Sequence, residues 1–170
     1  EHLAKYIQEM AKEGIPIWSL TPQNEPLNPG NNPSMYMSAE MQGNFIAKAL
    51  GPVFEKQGIQ TKIVIYDHNC DHPEYAIELL NVPEVRKYVN GSAFHLYDGE
   101  ITALSKVKAA HPDKDVYFTE QWTGAKGDFA SEFMWHMKNV IIGSVNNHAK
   151  AVIEWNLASD PTYGPHTQGG

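Results

Sequence analysis

Short apolar runs alternate with longer amphipathic segments along this chain, and the alternation predicts its secondary structure. Apolar runs of about four to eight residues, bounded by turn residues, are typical of strands buried on both faces of a parallel sheet. The runs in this sequence predict strands over residues 15–20, 61–66, 92–97, 115–119 and 149–155.

The segments between the strands carry apolar residues three and four positions apart, which predicts helices. We expect helices over residues 3–12, 37–53, 74–88 and 101–110, with a kink or break at Gly51-Pro52 and a break at Pro83. A further helix should follow Asp128, which is placed to cap it. The expected inner faces are Met37, Met41, Phe45, Ala49 and Val53 in the second helix, and Phe129, Phe133, Met134, Met137 and Ile141 in the last.

Strands that alternate with helices form parallel β/α units joined by right-handed crossovers. Five such strands suit either a doubly wound sheet of the flavodoxin type or the later part of a (β/α)8 TIM barrel. A flavodoxin-type fold needs a phosphate-binding loop after its first strand, and Pro22, Asn24, Glu25 and Pro26 provide none. The α/β barrel is therefore favoured, with this chain as a fragment of it.

Composition fits one globular domain and narrows the range of partners. The chain has 170 residues, 42% of them hydrophobic, and a net charge of -7, which argues against nucleic acid or an anionic membrane surface as a partner. No apolar run approaches about 18 residues, so no transmembrane segment is predicted. The single cysteine, Cys70, excludes an internal disulfide. Because the chain opens with Glu1 rather than Met, at what looks like part of a helix, we expect the native start to lie upstream, which leaves the compartment open.

Two glutamates stand where predicted strands end. Glu25 follows the apolar run 15–20, and Glu120 follows the run 115–119. Two carboxylates with different neighbours are what acid-base and nucleophilic cleavage of a glycosidic bond requires. The alternatives are a polar turn for Glu25 and a helix-capping carboxylate for Glu120, but Asp128 fits the capping role better.

The segment Asp67-His-Asn-Cys-Asp-His72 offers carboxylates, imidazoles and a thiol, which raises the possibility of a metal site. Its spacing matches no zinc or calcium loop, and side chains on a tight turn cannot all converge on one ion. We therefore expect no metal and no cofactor. Trp18 is expected in the core, and the remaining histidines are expected to be ordinary surface or helix residues: His2, His111, His136 and His148.

Taken in order, five motifs resemble those of the family-30 glycoside hydrolases. They are Leu20-Thr-Pro-Gln-Asn-Glu-Pro26, Tyr66-Asp-His-Asn69, Tyr88-Val-Asn-Gly-Ser-Ala-Phe-His-Leu-Tyr97, Tyr117-Phe-Thr-Glu-Gln-Trp122 and Glu154-Trp-Asn-Leu157. The resemblance implies a barrel that carries a small β-sandwich. It makes residues 1–170 a partial catalytic barrel, strands 4 to 8, without strands 1 to 3 and without the sandwich.

The resemblance also implies roles for individual residues. Glu25 would be the acid/base, on a turn stiffened by Pro26, and Glu120 would be the nucleophile of a retaining mechanism. Asn24 would bind the sugar 2-hydroxyl, and Trp155 would form the floor under the cleaved sugar. Further substrate contacts are expected from Asp67, His68, Asn69, His95, Tyr97 and Trp122, although His95 and Tyr97 could instead form a buried, satisfied pair. The family often has Trp where Leu96 stands, so one wall of the site differs here.

The substrate expected from the resemblance is a β-linked glucan or glucoside. Residues 119–124 and 160–166 look most like the β-1,6-glucanase branch, with glucosylceramidase or xylanase activity as alternatives. A non-catalytic carbohydrate-binding barrel fragment is the alternative of another class. The isolated fragment is expected to be inactive and to self-associate through open sheet edges. The family leads us to expect an extracellular or periplasmic protein.

Overall fold

A computed structural model of the chain describes residues 1–30, 33–123 and 127–156, together with Asp160, Thr162 and Gly164. These residues form one five-stranded sheet in which every pair of neighbouring strands is parallel. The strands are β1 (Ser19–Leu20), β2 (Lys62–Cys70), β3 (Val89–Gly99), β4 (Asp115–Glu120) and β5 (Ala149–Val152).

Helices occupy the connections between the strands, as expected. They are α1 (His2–Lys12), α2 (Ala39–Phe45), α3 (Gly51–Gln57), α4 (Pro73–Asn81), α5 (Pro83–Arg86), α6 (Ala103–Ala110), α7 (Phe129–Trp135) and α8 (Gly143–Asn146). Two π-helical segments, Ile46–Leu50 and His136–Ile142, join α2 to α3 and α7 to α8. The helix therefore continues through Gly51-Pro52, so of the predicted kink or break at that dipeptide the break does not occur. The break before Pro83 and the capping of α7 by Asp128 are confirmed.

Strand order separates the two architectures that the sequence allowed. The strands are hydrogen-bonded in the order β1-β2-β3-β4-β5, which is their order along the chain. A doubly wound sheet reverses direction at a switch point and places helices on both faces, whereas a barrel adds each strand beside the previous one. The sheet is therefore a run of consecutive barrel units.

The two faces of the sheet have different environments. Buried residues of α1, α3, α4, α5, α6 and the two π-helical segments join one core with strand residues such as Ile63, Ile65, Phe94 and Phe118. Residues that point to the opposite face form a small separate cluster of Val64, Ala93 and Tyr117, against which Ala151 packs. The helices thus cover one face, and the second face corresponds to the interior of a barrel.

The buried face of the second helical segment differs from the expected one. Met41 and Phe45 are exposed, and the buried stripe lies one position later, at Gln42, Ile46, Leu50 and Phe54. Glycine selects this face, because a Cβ on Gly43 would come within 2.9 Å of Leu79 Cδ2. A pattern based on apolar side chains does not count glycine as a packing residue, which explains the error.

Two other predictions, one of buried residues and one of strand length, are also wrong. Phe129, Phe133 and Met134 are exposed, because α7 buries no residue and the helical segment reaches the core only further on, at Val140 and Ile141. The strand predicted over residues 15–20 is reduced to Ser19–Leu20.

Trp18 lies outside the core, contrary to expectation. Its ring packs edge-on against Tyr117, with centroids 5.8 Å apart, on the face of the sheet that corresponds to the barrel interior (the interior-type face). The tryptophan remains 57% exposed. In a closed barrel that face is covered by strands from across the barrel. Among the described residues, β1 and β5 each have one neighbouring strand, and no helix is long and apolar enough to cross a membrane.

Candidate active site

The chemically important residues collect at the carboxyl ends of the parallel strands. Glu25 follows β1, Glu120 ends β4, and Trp155 follows β5. The remaining candidates lie near the ends of β2 and β3: Asp67, His68, Asn69, His95 and Tyr97. This edge is where ligands bind in parallel α/β folds.

Glu25 is held in an unusual backbone conformation. Its φ of 43° lies in the left-handed region, and its N–H donates to the Asp67 carbonyl at 2.9 Å. The residue is only 6% exposed, and its Oε2 accepts from Asn28 Nδ2 at 2.9 Å. Non-glycine residues in this region cost about 1–3 kcal/mol and cluster at functional sites, so the turn is built to aim Glu25.

The strands on either side of β3 each carry one extra residue beside Phe94. In β2 the extra residue is Asp67, and in β4 it is Thr119. A residue in such a bulge leaves the ladder, and its side chain can be re-aimed. The two extra residues meet, because Thr119 Oγ1 donates to Asp67 Oδ1 at 2.7 Å.

The backbone of the β2 bulge is also left-handed. Tyr66 and Asp67 have φ values of 73° and 60°. Gln42, fully buried on α2, supports them by accepting the Tyr66 N–H at 3.2 Å. The helix that packs behind the sheet therefore fixes the geometry of the site.

His95 lies between two carboxylates and is 1% exposed. Its Nδ1 is 3.2 Å from Glu25 Oε1, and its Nε2 is 3.1 Å from Asp67 Oδ1. Asp67 is also buried and accepts from Thr21 Oγ1 at 2.5 Å. These contacts form a continuous buried chain from Asp67 through His95 to Glu25.

Glu120 is contacted from the other side by Tyr97. The Tyr97 hydroxyl donates to Glu120 Oε1 at 3.1 Å and accepts the Trp122 N–H at 2.7 Å. The Tyr97 N–H donates to Asn69 Oδ1 at 3.1 Å. The hydroxyl therefore has a defined orientation toward Glu120.

Both glutamates open onto one cavity of about 420 Å³. One ligand atom from each of Glu25, His95 and Glu120 lies within 4.8 Å of the other two, so the two carboxyl groups adjoin. Trp122 and Trp155 line the cavity and are about half exposed. The other lining residues are Asn24, Asn28, Asn69 and Tyr97.

Comparison with known proteins assigns the chain to a family. The model of the glycosyl hydrolase family 30 TIM-barrel domain matches residues 1–168. The chain belongs to glycosyl hydrolase family 30. Family 30 membership confirms the resemblance on which the residue roles were based.

Individual family 30 relatives resemble the chain along nearly its whole length. It is 35% identical to an endo-1,6-β-D-glucanase of Neurospora crassa, across 99% of this chain and 35% of the relative. It is 32% identical to an endo-1,6-β-D-glucanase of Trichoderma harzianum, across 100% of this chain and 34% of the relative. The chain thus spans about a third of the length of the curated relatives it matches.

A solved structure of an endo-β1,6-glucanase superimposes with a TM-score of 0.93 at 38% identity. The match covers 99% of this chain and 39% of that one. The predicted fold, a fragment of a (β/α)8 barrel, is confirmed by this match and by the family 30 domain.

The electrostatics of this family 30 site differ from expectation at the glutamates. An ionised Glu120 close by would by itself raise the proton affinity of Glu25. Instead, the hydrogen bond from His95 lowers the pKa of Glu25, outweighing the opposite effect of burial. Burial raises the pKa of Glu120, despite the favourable charge of His95 and the hydrogen bond from Tyr97.

His95 is the origin of this difference. Burial alone would lower the pKa of His95, but hydrogen bonds to Asp67 and Glu25 raise it to about 9. At neutral pH the imidazole is therefore cationic and stabilises the ionised form of Glu25. The convergence of Glu25, His95 and Glu120 would also suit a metal ion, but both ring nitrogens of His95 already face carboxylates, and its raised pKa favours the protonated ring, which cannot bind a metal.

Several predicted site residues lie where the sequence placed them, and others do not. Asn24, Asn69, Tyr97, Trp122 and Trp155 line the cavity. Asp67 and His68, expected to contact the substrate, are buried and do not line the cavity. Burial of the carboxylate behind His95 follows from the bulge in β2, which a sequence pattern does not show.

Sequence reasoning missed the supporting residues Thr21, Asn28, Gln42 and Thr119. It also misjudged His111. His111 is buried against Arg86, with Nδ1 2.6 Å from Nη1, so it is not a surface residue. His136 joins the site periphery, where its ring nitrogens lie 3.0 Å from Glu154 Oε1 and 3.1 Å from Thr123 Oγ1. Gly124, Leu157 and most of residues 160–166, named in the motifs, fall outside the described residues.

Proposed function

We propose that this chain carries both catalytic carboxyl groups of a retaining β-glycoside hydrolase that acts on β-1,6-linked glucan. The adjoining carboxyls of Glu25 and Glu120 carry the proposal. Retaining glycosidases hold their carboxyls about 5–5.5 Å apart, whereas inverting enzymes need about 6.5–9.5 Å for an intervening water. Ligand atoms of Glu25 and Glu120 within 4.8 Å of each other suit the retaining arrangement.

The cavity also has the character of a sugar site. Trp122 and Trp155 present half-exposed rings at its wall, and aromatic faces suit the C–H face of a pyranose. Asparagine side chains line the rest of it and offer donors and acceptors to sugar hydroxyls: Asn24, Asn28 and Asn69. The relatives named as endo-1,6-β-glucanases support a β-1,6-linked glucan as the substrate.

In the proposed mechanism, Glu120 attacks the anomeric carbon while Glu25 protonates the leaving oxygen. Glu25 then removes a proton from the water that hydrolyses the glycosyl ester. The Tyr97 hydroxyl orients Glu120 and stabilises its charge before attack. We also propose that β1 to β5 are strands 4 to 8 of a complete barrel whose remaining strands help to hold the substrate.

The pKa directions support a second assignment, in which Glu25 is the nucleophile and Glu120 the acid/base. A nucleophile must be ionised and an acid protonated, and the pKa of Glu25 is lowered while that of Glu120 is raised. The family motifs favour the first assignment. A single experiment separates the two.

In the complete protein, Glu120→Ala and Glu25→Ala are each assayed with an activated aryl β-glucoside and sodium azide. Azide that replaces a missing nucleophile attacks opposite the leaving group and gives an α-glycosyl azide. Azide that replaces a missing base attacks the glycosyl-enzyme and gives a β-glycosyl azide. We expect the α product from Glu120→Ala and the β product from Glu25→Ala, identified by NMR.

The reverse pairing of products would assign the roles the other way round. Binding of β-1,6-glucan without turnover by the wild-type protein would instead indicate a carbohydrate-binding barrel. Parallel assays on xylan and glucosylceramide test the other substrates that the resemblance allowed.

A further inference from the structure

Asp67 has an environment that a substrate-binding residue would not need. It is buried, lies outside the cavity lining, and has three side chains directed at its carboxylate. Thr21 donates to Oδ2 at 2.5 Å, Thr119 donates to Oδ1 at 2.7 Å, and His95 Nε2 lies 3.1 Å from Oδ1. Burial of a carboxylate costs free energy unless the group is paired and hydrogen-bonded, and this network satisfies that need. Because Asp67 does not line the cavity, we look for its role in the residue that it contacts.

That residue is His95, whose other nitrogen faces the catalytic pair. Nδ1 lies 3.2 Å from Glu25 Oε1, and the ring is almost completely buried. With Asp67 fixed on one side, the imidazole can turn neither to solvent nor to another partner. Its second N–H is directed at Glu25.

We propose that Asp67 is a positioning residue that acts through His95. It keeps the imidazole doubly protonated, and the positive charge of the imidazole sets the pH range in which Glu25 holds a proton. The inference rests on the proposed function for its kinetic consequence.

The neighbouring charges are consistent with this role. The carboxylates of Asp67, Glu25 and Glu120 favour the cationic form of His95, whereas the imidazole of His68 opposes it. The Tyr97 ring contacts it edge-on, with centroids 6.2 Å apart. The titratable groups that face His95 are Glu25 after β1, Asp67 and His68 on β2, Tyr97 on β3, and Glu120 on β4.

The sign of the effect follows from the charges. Hydrogen bonds from His95, Thr21 and Thr119 lower the pKa of Asp67 although burial opposes them, so Asp67 stays anionic. Its charge retains the His95 proton, and the His95 cation lowers the pKa of Glu25. Removal of the Asp67 charge should therefore let His95 deprotonate at lower pH and raise the pKa of Glu25.

The test is Asp67→Asn in the complete protein, a change that keeps the shape of the side chain. As the acid, Glu25 must be protonated, so its pKa sets the basic limb of kcat/KM. We expect that limb to move to higher pH by roughly one unit in Asp67→Asn. Asp98→Asn, the same change at an exposed acid on β3, is the matched control and should leave the profile unchanged.

A direct measurement does not depend on turnover. ¹⁵N NMR of the imidazoles, with His95 assigned by His95→Gln, should show both His95 nitrogens protonated at pH 8 in the wild type. In Asp67→Asn the ring should lose a proton at lower pH. This result would stand even if the protein proved not to hydrolyse glycosides.

If Asp67→Asn fails to fold, His95→Gln carries the kinetic test, because it removes the same charge and should move the basic limb in the same direction. A purely structural role would lower kcat without moving the limb. A neutral His95 at pH 7 in the wild type, or a basic limb unmoved in the folded variant, would overturn the proposal.

Discussion

The Tyr97 hydroxyl donates a hydrogen bond of 3.1 Å to Oε1 of Glu120 and reaches it from β3, the neighbouring strand. The hydroxyl can donate only one proton, and the Trp122 N–H occupies its acceptor side at 2.7 Å. The donation to Glu120 is therefore oriented in advance. It favours the ionised carboxylate in a site where burial favours the protonated one.

Tyr97→Phe should move the acidic limb of kcat/KM to higher pH. Loss of the hydrogen bond raises the pKa of Glu120 further, and the nucleophile must be ionised to attack. At low pH we expect kcat/KM to fall by about tenfold, the equivalent of about 1.4 kcal/mol. Tyr88→Phe, which removes a hydroxyl bonded to Glu55 on the helical side, is the control and should leave the profile in place. An unshifted acidic limb in Tyr97→Phe would show that the hydroxyl does not tune Glu120.

The two glutamates should respond differently to conversion to glutamine. In the complete protein, Glu120→Gln should reduce turnover of every sugar substrate by about 10⁴-fold or more, because no covalent intermediate can form. Glu25→Gln should lower hydrolysis of unactivated glucan by roughly 10²–10⁴-fold. Its first step on aryl glycosides with good leaving groups should be spared, since these need little protonation.

Burst kinetics with such an aryl glycoside measure this difference. Glu25→Gln should release one equivalent of phenol rapidly and then turn over slowly, because the base for the second step is missing. If Glu120→Gln kept wild-type activity on all substrates, the assignment of Glu120 as the nucleophile would be contradicted.

Trp155→Ala should weaken substrate binding by removing an aromatic wall of the cavity. We expect KM for oligosaccharides to rise by about tenfold, in line with roughly 1–2 kcal/mol for a sugar-stacking ring. Trp18→Ala, at a tryptophan outside the cavity lining, is the control for an effect on stability alone. Equal effects of the two substitutions would mean that Trp155 acts through stability and not through contact with sugar.

Gly43→Ala should destabilise the protein although alanine is the better helix former by about 1 kcal/mol. The new methyl group would lie 2.9 Å from Leu79 Cδ2 and 3.3 Å from Val85 Cγ2. We expect the free energy of unfolding to fall by about 1–3 kcal/mol, measured by urea denaturation of the complete protein. Asn44→Ala, at the next and exposed position, should be neutral or stabilising. Increased stability of Gly43→Ala would show that α2 can move away from α4 at little cost.

A polypeptide of these 170 residues alone should hydrolyse β-glucosides negligibly and should self-associate. Its five-stranded sheet has two edges, β1 and β5, and an interior-type face on which Trp18 is exposed. Unpaired strand edges and exposed apolar groups favour association. Light scattering and a glucan assay test this, and a monodisperse monomer with ordinary turnover would refute it.

Much of the architecture was predictable because it depends on periodic features. Five apolar runs gave five strands, and the turn chemistry at Pro83 and Asp128 gave correct helix ends. Glu25 and Glu120 were recognisable because the ends of parallel strands converge on one edge. Their closeness within the cavity followed from that geometry.

The features that eluded prediction depend on contacts distant in sequence. Gln42 looks like an exposed helical residue until α2 packs and its side chain meets the β2 backbone. The lowered pKa of Glu25 depends on His95, 70 residues further along the chain. Neither relationship leaves a periodic trace in the sequence.

The extra residue at Asp67 has a consequence for how the sequence of β2 can evolve. Inward and outward positions alternate along a regular strand, and one inserted residue reverses that order for everything after it. Deletion of Asp67 would thus do more than remove a carboxylate, because Asn69 would exchange faces as well. Point substitutions can vary this site one side chain at a time, whereas a single-codon deletion would rearrange one wall of it at once.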